Sequence, residues 1–96
     1  MTERAAIERL ELTARFERSF RRLDARRQEQ CEKALEQLLV SPTPRGLRSK
    51  PILPGKIYWE ARLNSGDRLI LLPEGSVVYV MDVVTHDEIE RWGHGR

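Results

Sequence analysis

The sequence has few of the residues on which several kinds of functional site depend. Its 96 residues include one cysteine, Cys31, which excludes an internal disulfide and a cysteine-based zinc site. Only two histidines are present, His86 and His94, and the chain has no His-Glu-x-x-His motif, no glycine-rich phosphate loop and no Gly-x-Ser-x-Gly motif. These absences argue against metal catalysis and against a serine nucleophile, and we expect no metal and no cofactor.

Long hydrophobic runs are missing as well. No apolar run approaches the roughly 20 residues that span a bilayer, and the N-terminus lacks the apolar core of a signal peptide. A hydrophobic fraction of 40% and a charged fraction of 33% indicate a globular chain with a heavily charged surface. We therefore expect one domain over residues 1–96, in a reducing, cytoplasmic setting and without a membrane partner.

Basic residues are concentrated in one part of the chain. Between Ser41 and Arg68, six basic residues accompany two acidic ones, although the whole chain has a net charge of only +2. This local excess favours an anionic partner, with nucleic acid ahead of a membrane, while an ordinary solvated basic loop explains the same counts equally well. The candidates for contacts with RNA phosphates are Arg45, Arg48, Lys50, Lys56 and Arg62.

The N-terminal part of the chain predicts a strand and a helical hairpin. Apolar and charged residues alternate over Ile7–Leu12, which is typical of a half-buried strand, although a continuous helix over residues 2–23 is an alternative. A first helix is predicted after Thr13 as N-cap, with Phe16, Phe20 and Leu23 on its apolar face. A second helix is predicted from the cap Asp24 to Val40-Ser41-Pro42, with an apolar stripe at Cys31, Ala34, Leu35, Leu38 and Leu39.

The remainder predicts a loop followed by three strands. Residues 41–57 hold four of the five prolines and are expected to form a loop. Strands are predicted at Tyr58–Leu63, Arg68–Leu72 and Ser76–Val84, separated by turns at Asn64–Asp67 and Pro73–Gly75 and followed by a short helix or turn over Asp87–Trp92. The predicted fold is α+β: an N-terminal strand, and an antiparallel pair of helices on one face of an antiparallel meander sheet.

Alternation along the first of these strands predicts its two faces. Trp59, Ala61 and Leu63 should meet the helices, which leaves Glu60 and Arg62 facing solvent or a ligand. Counting back from the Pro73–Gly75 turn puts Arg68 opposite residues near Val80, with His86 about six residues beyond. Arg68 and His86 are therefore expected at the same end of the sheet, although this count does not show that they touch.

Arg68 and His86 are the candidates for chemistry. RNA cleavage by the ribose 2′-hydroxyl needs a base, an acid and cations that stabilise the pentacovalent phosphate; histidine suits either proton role and arginine suits the phosphate oxygens. Glu60 or Asp87 could act as a base or orient His86, and Trp92 or Trp59 could stack on a nucleobase.

Each of these residues also has a structural interpretation. Arg68 could form a surface ion pair with its neighbouring aspartate, and His86 could simply enter a helix capped by Asp87. Glu60 could be a cross-strand salt-bridge partner, and Trp92, like Trp59, could belong to the core.

The order of motifs from about Leu10 to Trp92 resembles the RelE/ParE toxin superfamily. The likeness lies in a Leu-Leu-x-Ser-Pro-x-Pro-Arg-Gly-Leu loop, in Tyr58-Trp59-Glu60-Ala61-Arg62, in the strand start Arg68-Leu69 and in a strand that ends on His86. Within the superfamily, this spacing is most similar to the YoeB/RelE branch.

The resemblance implies a toxin of a type II toxin–antitoxin system: a ribosome-dependent, metal-independent mRNA endoribonuclease that inhibits translation and is neutralised by a cognate antitoxin. Arg68 and His86 match the catalytic arginine and histidine of that branch. The chain departs from the pattern in having Asp87 where the branch has a tyrosine, and in lacking a glutamate in the loop before Tyr58. These departures keep open a RelE-fold binding module without nuclease activity, such as a ParE-like inhibitor of DNA gyrase or an inactive regulatory relative.

Overall fold

The computed structural model describes residues 7–39 and 49–94. Its elements are β1 (Arg9–Leu12), α1 (Ala14–Arg21), α2 (Ala25–Leu38), β2 (Ser49–Pro51), β3 (Trp59–Arg62), β4 (Asp67–Glu74), β5 (Val77–Thr85), a 3-10 turn (His86–Glu88) and α3 (Ile89–Gly93). The five strands form one sheet in the order β1-β5-β4-β3-β2, in which β1 is parallel to β5 and the other pairs are antiparallel. The predicted α+β architecture is confirmed.

Both predicted helix caps are present. The Thr13 hydroxyl accepts a hydrogen bond from the Phe16 amide at 3.2 Å, and it donates to the Val80 carbonyl at 2.9 Å, which anchors the start of α1 to β5. Asp24 Oδ1 accepts from the Arg27 amide at 2.9 Å and starts α2. α2 ends at Leu38, and the stop predicted at residues 40–42 lies outside the described residues.

The helices cover one face of the sheet with apolar side chains. The buried cluster on this face consists of Phe16, Cys31, Ala34, Leu38, Ala61, Leu69, Leu71, Val78, Val80 and Val83. Trp59 and Leu63 pack against it, as the alternation along β3 predicted. Removing these side chains from water is the main force that holds the helical hairpin on the sheet.

Two predictions about the strands were wrong. The segment predicted as a loop contains the short strand β2, whose Ser49–Pro51 pair with residues 59–61 of β3. β4 continues through Pro73 to Glu74, and the turn before β5 is the two-residue Gly75-Ser76, with Gly75 at φ +61°. The proline is tolerated because β4 pairs with β3 only as far as Leu71, so Pro73 lies where β4 has one neighbour.

The longer β4 changes the register with β5. Arg68 pairs with Val84 instead of a residue near Val80, partly because the register shifts between Ile70 and Leu71 and leaves Met81 without a partner. His86 therefore follows the partner of Arg68 by two positions, not by about six. The predicted placement of both residues at the same end of the sheet is confirmed.

The second face of the sheet is partly covered by the C-terminal segment. Trp92 of α3 packs with Ile52, Ile70 and Val84, and the Tyr58 ring meets the Trp92 ring edge-on with centroids 4.9 Å apart. None of the helices in residues 7–39 and 49–94 combines the length and the apolar character that a bilayer crossing requires.

Candidate nucleic-acid interface

Two arginines face each other across the end of the sheet. Arg62, the last residue of β3, pairs directly with Arg68 of β4, so both side chains leave the same face. Directly opposed residues have Cβ atoms only about 5 Å apart, and like charges in this arrangement destabilise a sheet. The pair therefore concentrates positive charge where β3 ends and β4 begins, on the face of the sheet that the helices do not cover.

Arg68 is held from several sides. It is 8% exposed, and its Nη1 donates to the carbonyl of Asn64 at 2.8 Å and to the carbonyl of Asp67 at 3.0 Å. Its Nε lies 3.6 Å from Glu60 Oε1, so Glu60 is the cross-strand salt-bridge partner. The acidic partner of Arg68 is thus Glu60, and not the carboxylate of the adjacent aspartate.

Glu60 and Arg62 differ in exposure, although both were expected to face solvent or a ligand. Glu60 is 9% exposed because it lies between Lys50 of β2, directly opposite, and the guanidinium of Arg68. Arg62 is exposed and forms no hydrogen bond or ion pair with any residue in the ranges that the structure describes. The free guanidinium of this pair is therefore that of Arg62.

A polar network fixes the turn beneath the arginine pair. Arg27 of α2 donates two hydrogen bonds of 2.8 Å to the Asp67 carboxylate, and Asn64 Nδ2 donates a third at 2.8 Å. The Asn64 side-chain oxygen accepts from the amides of Gly66 and Asp67 at 2.8 and 2.7 Å. The hydrogen bonds from Arg27, opposed by burial, lower the pKa of Asp67 below its usual value. The sequence did not identify Arg27 as a residue that supports this turn, because no local pattern connects it to Asp67, 40 residues later.

His86 lies exposed where β5 ends. Its backbone amide donates to the Gly66 carbonyl at 2.7 Å, which ties the 3-10 turn to the β3–β4 turn. The expected cap at Asp87 was wrong: Glu88 accepts from the Thr85 amide at 3.1 Å and from its hydroxyl at 3.0 Å, as in a capping box. Asp87 follows His86 in the chain and is also exposed.

The two tryptophans occupy core positions. Trp92 is 3% exposed, and the Arg15 guanidinium lies over its ring at 5.1 Å from the centroid while Arg15 Nε donates to Asp82 at 3.0 Å. Trp59 is half-buried on the helix-covered face. The Trp92 indole therefore belongs to the core and does not present a face on which a nucleobase could stack.

Of the other predicted RNA contacts, two lie in the described part of the chain. Lys50 is exposed on β2, and Lys56 is exposed in the β2–β3 connection with φ +61°. Arg45 and Arg48 lie outside the described residues. Among the residues that the structure describes, no three His, Cys, Asp or Glu side chains gather in a way that could hold a metal ion.

Comparison with known proteins identifies the fold. No protein-family model and no curated protein matches the sequence. The E. coli DinJ-YafQ toxin-antitoxin complex contains a chain that is 15% identical, with a TM-score of 0.69 and coverage of 86% of this chain and 96% of that one. The RelBE2 toxin-antitoxin complex from Mycobacterium tuberculosis has a TM-score of 0.64 at 18% identity, over 80% of this chain and 95% of that one.

A third solved structure is described as a YoeB/ParE toxin from Agrobacterium tumefaciens. It is 19% identical, with a TM-score of 0.64 and coverage of 81% of this chain and 98% of that one. Each of the three matches spans at least four-fifths of this chain. The chain has the fold of the RelE/ParE toxin superfamily.

Proposed function

We propose that this protein is the toxin of a type II toxin–antitoxin system and cleaves mRNA on the ribosome without a metal ion. The observation that carries the proposal is the directly opposed pair Arg62 and Arg68, together with an exposed His86 that follows Val84, the β5 partner of Arg68, by two residues. An unpaired arginine beside a fixed one is an anion site, and an exposed imidazole near it can move a proton.

The proposed reaction is transesterification by the ribose 2′-hydroxyl. The 2′ oxygen bonds to phosphorus as the 5′ oxygen departs, so one proton must leave the nucleophile and another must reach the leaving group. His86 acts as the acid or base, and Asp87 beside it is the carboxylate available for the other role. Arg62 and Arg68 stabilise the charge on the non-bridging oxygens. Glu60 forms an ion pair with Arg68, so its role is to hold that guanidinium in place.

The other basic residues bind the RNA on either side of the scissile phosphate. Lys50 and Lys56 are exposed on the strand and the connection that precede β3, and Arg45 and Arg48 precede them in the chain. A cognate antitoxin would neutralise the same cations. Two of the three solved structures described above are toxin–antitoxin complexes, which supports such a partner. We propose that both proteins act in the cytoplasm.

The test is primer extension on a reporter mRNA in a reconstituted translation mixture. The protein should produce cuts at codons in the ribosomal A site. His86→Gln should lower the cleavage rate about 100-fold or more, and Arg62→Gln about 10- to 100-fold. Arg91→Gln, which removes an exposed arginine on α3, is the matched control and should cleave like the natural protein.

Arg68→Ala is a poor first variant because it removes the partner of the buried Glu60. Arg62 and His86 are both exposed, so their substitution leaves the fold intact, and loss of cleavage can be read as loss of chemistry. Full cleavage by both Arg62→Gln and His86→Gln would disprove this assignment of the site.

The second candidate is a RelE-fold binding module without nuclease activity, such as an inhibitor of DNA gyrase. The observation that favours it is the engagement of Arg68, whose hydrogen bonds and ion pair all lie within the protein. Intact mRNA in the same assay, together with inhibition of gyrase supercoiling by the folded protein, would support this alternative. A DNA-damage response on expression, with translation still running, would be the corresponding result in cells.

A further inference from the structure

The β3–β4 turn holds both of the residues that we assign to the chemistry. Arg68 Nη1 donates to the carbonyls of Asn64 and Asp67, at 2.8 and 3.0 Å. The His86 amide donates to the carbonyl of Gly66 at 2.7 Å. Carbonyl groups of a single turn therefore hold a guanidinium from β4 and the backbone of the residue that follows β5. The directions in which these carbonyls point depend on the conformation of the turn.

Asn64 fixes that conformation with every hydrogen bond that its side chain can form. Its Oδ1 accepts from the amides of Gly66 and Asp67, at 2.8 and 2.7 Å. Its Nδ2 donates to Asp67 Oδ2 and to Gln30 Oε1, both at 2.8 Å. A side-chain amide has two N–H donors and one oxygen with two lone pairs, so its capacity is fully used. The opposite orientation of the amide would set Nδ2 against two backbone N–H groups, so these contacts also determine how it lies.

These four hydrogen bonds are more than an ordinary turn needs. A side-chain oxygen is enough to accept from the backbone amides of a turn, so aspartate or serine could form the bonds to Gly66 and Asp67. The two donated bonds differ, because they end on side chains. A carboxylate has no donor and a hydroxyl has one, so among short side chains only asparagine forms all four. The identity of residue 64 therefore serves a contact beyond the turn.

That contact is with α2. Gln30 and Arg27 lie one turn apart on this helix, and Arg27 binds the same Asp67 carboxylate that accepts from Asn64. Asp67 is buried, and Asn64 and Gln30 are half-buried, so the network is partly shielded from water. The apolar cluster holds α2 on the sheet, and the network thus gives the turn a fixed support.

The opposed arginines make such a support important. Like charges that face each other on neighbouring strands repel, which would drive the Arg68 guanidinium away from Arg62. The two turn carbonyls lie 2.8 and 3.0 Å from Arg68 Nη1, whereas the nearest Glu60 oxygen lies 3.6 Å from its Nε. The carbonyls therefore hold the guanidinium more closely than the carboxylate does.

We propose that Asn64 is a positioning residue, which sets the placement of Arg68 and His86 relative to each other through the carbonyls of the β3–β4 turn. Its bond to Gln30 ties this placement to α2. The effect of Asn64 on cleavage rests on the proposed function, whereas its effect on the placement of the two residues does not. A misplacement of about 1 Å can lower an enzymatic rate about 100-fold.

The first test measures the two held groups by NMR. Asn64→Ser keeps a side-chain oxygen in the turn and removes both amide donors without adding charge. It should lower the order parameter of the Arg68 Nε–H group and speed hydrogen exchange at the His86 amide about fivefold or more. Amides in the middle of β5 should keep their exchange rates. Ser65→Ala, which changes an exposed side chain in the same turn, is the matched control and should alter none of these values.

The local pattern separates positioning from general stability. A uniform rise in exchange along β5 would mean that Asn64 only stabilises the fold. Unchanged values at both Arg68 and His86 would mean that the turn holds them without Asn64. Either result overturns the proposal, whatever the cleavage assay shows.

Two variants of Gln30 test the connection to α2. Gln30→Leu removes the oxygen that accepts from Asn64, whereas Gln30→Glu keeps an acceptor at that position. Gln30→Leu should change the values at Arg68 and His86 in the same direction as Asn64→Ser, and Gln30→Glu should preserve them. Equal changes in both variants would overturn the connection.

The second test is the cleavage assay, at a temperature at which circular dichroism shows each variant to be folded. Asn64→Ser should lower kcat about 10- to 100-fold and change KM about twofold or less, because the exposed cations that bind RNA are untouched. Ser65→Ala should cleave like the natural protein. An unchanged kcat in Asn64→Ser would overturn the proposal. If the natural protein does not cleave, the nuclease proposal fails, and the NMR measurements alone decide whether Asn64 places Arg68 and His86.

Discussion

The two faces of the sheet are built from the same strands but carry different side chains. On the helix-covered face, ten buried residues form one apolar cluster with no charge within it. On the other face, a cluster of four buried residues lies beneath α3, and the end of the sheet next to it carries Glu60, Arg62 and Arg68. The largely apolar face, which also holds the ion pair of Arg27 and Asp67, stabilises the fold, while a face that is apolar only in part leaves room for charge. The difference predicts that the sheet separates most of the residues that stabilise the fold from the proposed site.

The largest effect on stability is expected on the helix-covered face. Phe16→Ala should lower the free energy of unfolding by about 3 to 5 kcal/mol, because Phe16 is 2% exposed and its loss leaves a cavity between α1 and the sheet. Urea denaturation followed by circular dichroism measures the change. A loss below about 1 kcal/mol would mean that this face is not the main source of stability.

On the opposite face, Arg68 and Arg62 should behave differently. Arg68→Gln should cost about 2 to 4 kcal/mol because it leaves Glu60 buried without its partner, whereas Arg62→Gln should change stability by no more than about 0.5 kcal/mol. The double variant Glu60→Gln with Arg68→Gln should recover part of the loss in the same urea titration. Equal costs for the two single arginine variants would contradict the contrast between a held and a free guanidinium.

The ion pair beneath the β3–β4 turn should make stability depend on pH. The contact with Arg27 lowers the pKa of Asp67 in the folded protein, so the folded state binds fewer protons than the unfolded state around that pKa. The contribution, about 1.5 to 3 kcal/mol, is complete above the unfolded pKa of about 4 and is lost as the pH falls through the lower, folded value.

Asp67→Asn is the variant that isolates this pH dependence. It should be less stable at pH 7 and should lose less stability than the natural protein when acidified. Urea titrations at a series of pH values from 7 downward measure both effects. Parallel curves for the two proteins would show that Asp67 does not carry the dependence.

The smallest effect concerns the single cysteine. Cys31 is fully buried on the helix-covered face, and burial raises the pKa of its thiol to about 12. Iodoacetamide at pH 8 should therefore leave the folded protein unmodified and should label it once urea unfolds it, as mass spectrometry would detect. Rapid labelling of the folded protein would reveal opening of α2 away from the sheet.

The residues of the helix-covered face could be predicted from the sequence because short-range patterns determine which side chains are buried there. Spacings of three and four residues in α1 and α2, and of two residues in β3, assign side chains to a buried face whatever the neighbours are. The caps Thr13 and Asp24 follow from side-chain chemistry within three residues. These elements, and the hairpin they form, appear in the structure as predicted.

The candidate interface could be predicted only in part. Arg62, Arg68 and His86 were identified as candidates, but the register that brings them together depends on a strand that continues through Pro73 and on a shift at Ile70 and Leu71. The sequence predicted that the strand ends before Pro73, because a proline is not tolerated between two paired strands. It could not show that β3 pairs with β4 only as far as Leu71, which leaves Pro73 with β5 as its one neighbour.

The sequence by itself determined the class of fold, the helical hairpin and the end of the sheet at which the candidate residues lie. It could do so because periodicity, capping and turn chemistry act over a few residues. The tertiary structure decided which arginine is held and which is free, that Trp92 belongs to the core, and that Arg27 supports the β3–β4 turn. Those outcomes depend on strand register and on contacts between residues far apart in the sequence, such as Arg27 with Asp67 and Arg15 with Trp92, which no local pattern encodes.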